Sequence, residues 1–515
     1  MTTTTSERQQ ARPLPRGDRK IIVTLLIATF VVILNETIMG VAIPHLITDL
    51  DITASTAQWL STAFLLTMAV VIPTTGFLLQ RLSRRTVFSV SMGLFCLGTA
   101  VAAVSPGFWL LLLGRIIQAS GTAIMLPLLM TTILTLVPLE RRGQVMGNVS
   151  IAISVAPAIG PTISGVILQY LPWRFMFVLV LPFAVGALVY GARGLRAGSE
   201  PGNQRLDLVS VLLSVPAFGA LVYGLSRIGE GGAAAAAVPL ALGVVCLLLF
   251  GWRQIRLQSS NSPLLDLRAF AYPMFRRSVA LLCIAMMALF GTIILLPIYL
   301  QEIRRLGSLE TGLLLLPGGV LMGLLAPSVG RLFDRYGPRG LTTAGALLMT
   351  ATMWGFSTVD AGTPVWQLVA MHLTLSVALA LLFTPGFTSG LNPLPPQLYS
   401  HGSAIMTTLQ QVAGAAGTAL LVAIMAARSL QLDARGDSAL GALNGGISTA
   451  FLAAALISVP AVAVALSMRR AAAGTPSSHD IPSSHDIPSS HDTPATPDAL
   501  SSPNPSSADS TPAAH

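Results

Sequence analysis

Fourteen mostly apolar runs, each near the length that crosses a bilayer, dominate this 515-residue chain. A hydrocarbon core of about 30 Å takes roughly 20 helical residues. The runs are expected at 21–44, 57–80, 86–104, 108–137, 144–169, 175–193, 206–227, 235–252, 277–300, 308–333, 340–357, 365–389, 403–427 and 447–468. Folding in water is excluded by charge: 10% of residues are Asp, Glu, Lys or Arg, against about 25% in soluble domains. So few charges cannot cover a water-facing surface. Lipid removes that demand, because apolar side chains then face outward.

The basic residues fix the topology. If the first run leads outward and the runs alternate, 23 of the Lys and Arg residues lie on the inner side and six on the outer side, with Arg115 inside a run. Losing one run mid-chain would invert every later loop and destroy this bias. The expectation is therefore a multi-pass protein with both termini cytoplasmic. The net charge of +9 belongs to short clusters between apolar runs, which fits membrane orientation and not nucleic-acid binding. The preference for Arg over Lys, with much Ala and Gly, suggests a bacterial inner (plasma) membrane. Cys96, Cys246 and Cys283 are scattered through apolar runs and form neither a disulfide framework nor a metal set. Residues 1–20 show no cleavable signal pattern, so the first run is expected to serve as an uncleaved insertion signal.

The chain also repeats itself. Gly76-Phe-Leu-Leu-Gln-Arg-Leu-Ser-Arg-Arg85 returns 254 residues later as Gly330-Arg-Leu-Phe-Asp-Arg-Tyr-Gly-Pro-Arg339. That spacing predicts a cytoplasmic tail (1–20), a six-helix bundle (21–194), two inserted helices with linkers (195–270) and a second six-helix bundle (271–468). Such duplicated halves carry a midplane binding site between them in transporters. Residues 469–515 are rich in Ser, Pro, Asp and His, with Ser-Ser-His-Asp-Ile-Pro at 477–482 copied at 483–488. This composition predicts a disordered cytoplasmic tail.

Glu36, Arg115 and His372 are the ionisable residues expected inside spans. A charge at a helix centre costs at least ~2.5–3.5 kcal/mol, so such groups face partners or water-filled cavities. Counting ~1.5 Å per residue from the outer ends puts Glu36 about 12 Å deep and the other two about 10 Å deep. Arg115 shifted by the repeat falls three residues from His372. Glu36 is read as a proton-binding carboxylate or as half of a structural ion pair. Arg115 is read as its switchable counter-charge or as a packing residue bonded to carbonyls. For His372 a satisfied core histidine is the simpler reading. Asn35, Gln58, Gln118, Asn148, Gln410 and Gln411 are candidate cavity residues, with polar packing an equal alternative.

The fifth run holds Gly147, Gly160-Pro161 and Gly165. Small residues permit close helix contact and proline removes a backbone donor, which suits a gate. In the second loop motif, Asp334 is expected to accept bonds from a neighbouring helix N-terminus. Arg335 and Arg339, with Arg81 and Arg85 in the first copy, are expected to set topology or pair across the inner face.

Together these motifs resemble the major facilitator superfamily, and within it the fourteen-helix drug:proton antiporters. Leu34-Asn-Glu-Thr-Ile-Met-Gly-Val-Ala-Ile-Pro44 resembles that branch's first-helix motif. Arg115-Ile-Ile-Gln118 followed by Gly121 resembles the motif whose arginine is implicated in proton transfer, and Gly160-Pro-Thr-Ile-Ser-Gly165 the antiporter motif. Trp173-Arg-Phe-Met-Phe177 and Leu296-Pro-Ile-Tyr-Leu-Gln301 also fit. Three departures stand out. The family's first-helix Asp is Asn35 here, with the acid next door at Glu36, as in a subgroup resembling lincomycin-type exporters. Gln80 and Ser83 replace an Asp and a Gly in the first loop motif, and Ala119 replaces a Gly in the fourth-run motif.

The resemblance implies an all-α membrane protein of two pseudo-symmetric six-helix bundles plus two helices. It implies a monomer that exports lipophilic or cationic small molecules against protons, without a cofactor. A facilitator, importer or lipid flippase on the same fold is the alternative. The chain has no Gly-x-x-x-x-Gly-Lys-Ser/Thr loop, and Lys20 is its only lysine, so ATP-driven pumping is not expected. His45, His372 and His401 are too dispersed for an embedded enzyme.

Overall fold

A computed structural model describes residues 15–195, 207–259 and 263–469, apart from the side chains of a few residues within helices. Two expectations, the C-terminal tail with its histidine repeats and most of the N-terminal tail, lie outside the described residues. The described chain forms thirteen α-helices and no strand. They are α1 (Arg16–Asp49), α2 (Ala54–Arg81), α3 (Arg84–Ala103), α4 (Phe108–Leu136), α5 (Arg142–Tyr170), α6 (Phe175–Gly194), α7 (Leu208–Gln258), α8 (Pro273–Ile298), α9 (Ser308–Tyr336), α10 (Pro338–Ser357), α11 (Val365–Leu391), α12 (Tyr399–Asp433) and α13 (Ala439–Ser467).

The count of thirteen, against fourteen expected, comes from α7. Its 51 residues cover both the seventh and the eighth expected spans. A straight helix would put residues 224 and 240 about 24 Å apart. Instead a Cβ at Gly224 would meet Leu240, and one at Gly243 would meet Leu221. Arg253 also bonds Asp207 at 2.7 Å, and the Phe218 and Phe250 rings pack edge to face. The helix therefore doubles back, and its arms Leu208–Leu225 and Ala235–Gln258 are two membrane spans. The Ala- and Gly-rich segment between them contains no proline, and helical backbone continues through the reversal.

Length and hydropathy alone find thirteen spans, this pair included; the fourteenth is α10. Its sequence, with four threonines and Arg339 in its first turn, falls short of the other spans in hydropathy over a bilayer-length window. It is nonetheless a 20-residue helix that buries Met349, Met353 and Phe356. Gly337, at φ 82°, is the only residue between α9 and α10. Glycine tolerates that left-handed angle, and Pro338 then starts α10 at a position where its missing N–H costs nothing. Helices α1 and α12 extend past their expected ends, because the chain stays helical after it leaves the apolar window.

Helices α1–α6 and α8–α13 form the two bundles, and the α7 hairpin lies against α2 and α12. The bundles meet along α5 with α9 and α11, and along α12 with α2 and α4. Large apolar side chains such as Trp109, Leu212 and Leu324 are exposed on the outside. That is the inversion expected of a multi-pass membrane protein, whose surround is hydrocarbon.

Candidate functional site

Glycines on α3 and α4 bring those helices together. A Cβ at Gly98 would strike the backbone of Gln118, one at Gly114 would lie 2.9 Å from Ala102 N, and one at Gly121 would lie 2.6 Å from Phe95 N. This approach lets Gln118 Nε2 donate to Thr99 Oγ1 at 2.8 Å and Ser91 Oγ donate to the Gly121 carbonyl at 2.7 Å. Gln118 Oε1, thus oriented, accepts from Arg115 Nη1 at 2.6 Å. Arg115 Nη1 also donates to Asn35 Oδ1 of α1 at 3.3 Å. The guanidinium carbon stands 4.0 Å from the centre of the Phe64 ring of α2, a cation–π contact.

Arg115 is therefore a fully buried charge (1% exposed) held by two amides and an aromatic face. Its Nε has no hydrogen-bond partner. Glu36 is the next residue along α1 from Asn35. It is half-buried, and among the described residues it makes no hydrogen bond or ion pair. Arg115 is the charge that acts on it. The direct partner of the arginine on α1 is thus the amide at 35, because one residue along a helix turns a side chain by about 100°. Just beyond the acid, α5 lies against α1: Gly160 faces the Thr37 hydroxyl, with no room for a side chain.

His372 does not join this cluster. Its Nε2 lies 3.2 Å from the Leu315 carbonyl of α9, and it packs over Gly318. Gln410 is buried with Nε2 unpartnered, Gln411 is half-buried, and Asn148 is exposed. The side chains of Gln58 and Pro161 lie outside the described residues. Gly165 has open space beside it, so the close contacts of α5 run through Gly143, Gly147 and Gly160.

The two loop motifs occupy equivalent places at the arginine-rich end of the bundles. Gly330 of α9 lies against Gly143 of α5, and Gly76 of α2 lies against His401 of α12. Asp334 accepts from the N–H of Gly143 at 2.9 Å and of Gln144 at 3.0 Å. These are free donors in the first turn of α5, where the helix dipole favours an anion. The counterpart Gln80 reverses the polarity: its Nε2 donates to the Gln397 carbonyl at 2.9 Å, and its buried Oε1 has no partner. Arg81 and Arg335 stack near Phe77 and Tyr336, while Arg85 and Arg339 are exposed.

A profile of the Major Facilitator Superfamily matches residues 25–418. The chain belongs to the major facilitator superfamily. It is 39% identical over 470 residues to lincomycin resistance protein LmrB of Listeria monocytogenes, covering 90% of this chain and 98% of that protein. It is 40% identical over 478 residues to LmrB of Bacillus subtilis, covering 91% and 98%. Its fold matches the human organic anion transporter MFSD10 with a TM-score of 0.60 at 16% identity, over 86% of this chain and all of that one. It matches the proton:xylose symporter XylE with a TM-score of 0.57 at 16% identity, over 86% and 96%. These are transporters, and this superfamily member is a transport protein and not an enzyme.

Four contributors to this facilitator fold carry no mark in the sequence pattern. Phe64 sits on an apolar run like any core residue, and nothing in its spacing marks it as the ring under Arg115. Ser150 and Thr384, one from each bundle, share a buried hydrogen bond of 2.8 Å. Arg142 lies among the basic residues between two apolar runs, yet it is 6% exposed. Its hydrogen bonds to Asn392, just past α11, and to Tyr399 of α12 follow only from the placement of those helices beside α4 and α5.

Proposed function

We propose that this protein exports lipophilic or amphipathic drugs, antibiotics among them, in exchange for protons by alternating access. The observation that carries the reading is Glu36. It is an intramembrane carboxylate with no hydrogen bond among the described residues, beside a buried arginine whose own bonds go to neutral groups. A structural ion pair would instead engage the two directly. An acid left free near a fixed positive charge can take and release a proton without breaking the packing around it. Similarity to the lincomycin resistance proteins LmrB supports drug export as the direction of transport.

In this reading the arginine-rich end is cytoplasmic, as the bias of basic residues indicates. Residues 21–194 and 271–468 are the halves that rock, one monomer suffices, and no cofactor takes part. With Glu36 charged, Arg115 and Glu36 attract and α1 and α4 stay together. A proton from outside removes that attraction and favours opening toward the cytoplasm. Substrate loading from the inner leaflet then accompanies proton release inward. The membrane potential contributes about 2.3 kcal/mol per charge per 100 mV, and a pH gradient adds to it.

The test is uptake of a dye or lincomycin into everted membrane vesicles. Uptake should collapse with an uncoupler and with Glu36→Gln. Uptake that survives both treatments refutes proton coupling through this residue. Passive equilibration that persists in Glu36→Gln supports the facilitator alternative.

A further inference from the structure

Closure at the arginine-rich end is built asymmetrically. On one side Asp334 of α9 ties down the first turn of α5 through two hydrogen bonds. On the repeat-related side, the acid that would do the same is Gln80. It reaches one backbone carbonyl and leaves its own oxygen unpartnered. Something else must hold α12 against the first bundle at this end.

Arg142, the first residue of α5, is placed to do so. Its Nε donates to the Val137 carbonyl at 3.0 Å, and its Nη2 to the Leu134 carbonyl at 2.5 Å. These carbonyls belong to the end of α4, where terminal groups lack helical partners and a cation is favoured. The guanidinium is thereby fixed to the first bundle. Its remaining reach is toward the second: Nη1 donates to Asn392 Oδ1 at 3.2 Å just past α11, and Nη2 donates to Tyr399 Oη at 3.3 Å at the start of α12. The Tyr399 ring also lies under the cation, 5.3 Å from guanidinium carbon to ring centre. Arginine suits this place because its planar fork serves several acceptors at once and it stays charged when buried. Both partners across the interface are neutral. The tie can therefore open without separating an ion pair, while Arg142 stays satisfied by α4.

We propose that Arg142 is a positioning residue of the transport cycle: it closes the arginine-rich end by clasping Asn392 and Tyr399, in place of the acid missing at Gln80. This rests on the alternating-access reading above.

The proposal separates from a merely structural role through its partners. Asn392→Ala combined with Tyr399→Phe removes the cross-bundle acceptors and leaves the α4 bonds of Arg142 intact. A reporter cysteine is introduced by Thr388→Cys at a fully buried site on α11, one turn from the Ser150–Thr384 bond. The background is the full chain with Cys96, Cys246 and Cys283 replaced by alanine and transport verified. An impermeant maleimide is applied to the arginine-rich face in inside-out vesicles. The double variant should raise the labelling rate about tenfold, the scale expected for losing hydrogen bonds to a charged group. Tyr399→Phe alone should give a smaller rise in the same direction, and it stands as the measurement if the double variant does not fold. Asp334→Asn is the reference for opening this end. If Asp334→Asn raises labelling and the Asn392/Tyr399 variants leave it unchanged, the role of Arg142 is overturned and alternating access stands. If no variant changes labelling, alternating access at this end fails and the proposal falls with it.

Discussion

Arg115 Nη1 lies 3.3 Å from Asn35 Oδ1, so the side chain of α1 that directly holds the buried arginine is the amide beside Glu36 and not Glu36 itself. The amide keeps the cation in place without neutralising it. In the proton-exchange function proposed above, the neighbouring carboxylate changes its charge while the arginine stays anchored. Two tasks that a single aspartate would combine are divided between adjacent residues.

Asn35→Ala should therefore act on stability and on transport together. It removes one acceptor from a fully buried charge and leaves Gln118 as the remaining hydrogen-bond partner. The expected cost is about 1.5–3 kcal/mol, the range for bonds to charged groups. It is read as a lower midpoint of thermal unfolding in detergent, with reduced vesicle uptake. Glu36→Gln breaks no hydrogen bond and loses only the attraction to Arg115, so it should lower the midpoint less than Asn35→Ala does.

Asp334 supports a second prediction. Asp334→Asn keeps one acceptor but presents an NH2 group to the other backbone donor, so one of the two bonds to α5 becomes repulsive. Gly143→Ala should give the same phenotype with the acid intact, because its Cβ would meet the carboxylate and lie 2.6 Å from the Gly330 carbonyl. Each change should cost about 1–3 kcal/mol in the closed form, enough to shift the closed population by roughly 5- to 150-fold. Solvent labelling of buried positions on α9 at the arginine-rich end checks both. Labelling that stays at the wild-type rate in both variants would remove Asp334 from the closure.

Much of this was legible in the sequence, and the limits have physical causes. Hydrophobic run length gave the spans because lipid imposes it on every helix. It was weakest at α10, whose polar residues are covered by neighbouring helices. The α7 reversal lay in an Ala- and Gly-rich segment without proline, so its place was visible but not its unbroken helix. The bonding of Asp334 to a helix N-terminus follows from charge and dipole alone. The partner of Arg115 did not, since depth along an axis fixes level but not azimuth, and a 100° difference exchanged Glu36 for Asn35. His372 failed for a related reason: matching depth says nothing about which neighbouring helix a ring faces.

The α7 hairpin is pinned at its base by Asp207, which caps the helix through Ser210 and pairs with Arg253 at 2.7 Å. The hydrogen bond from Arg253 outweighs partial burial, and with help from Ser210 it holds the Asp207 carboxyl down to about 2 from an ordinary 3.8. A depressed carboxyl pKa gives stability that is fully present above the unfolded value and is lost as pH falls toward the folded one. The stability gap between wild type and Asp207→Asn should thus be constant above about pH 5 and close between roughly pH 4 and 2. Asp207→Ala also loses the helix cap, at a cost of about 0.5–2 kcal/mol near neutral pH. Thermal unfolding in detergent across this pH range checks both. A gap that persists unchanged at pH 2 would contradict the pairing.

The glycines between α3 and α4 permit a paired test of how packing sets the site. Gly98 faces Gln118, and an added Cβ would lie 2.7 Å from the Gln118 Cα, with backbone on the far side that cannot swing away. Gly98→Ala must push α3 from α4. That separation stretches the 2.8 Å bond from Gln118 to Thr99 and loosens the amide that orients Arg115. Overpacking of this kind costs about 1–3 kcal/mol, and transport should fall with it although no site residue is changed. Gly93 lies on the same helix with nothing within 4 Å of its Cβ position. There the same substitution only exchanges a poor helix former for the best one, which favours the folded helix by up to about 1 kcal/mol. Gly93→Ala should therefore transport normally and unfold at an equal or higher temperature, whereas Gly98→Ala should lose both. Equal behaviour of the two variants would mean that the closeness of α3 and α4 does not govern the arginine cluster.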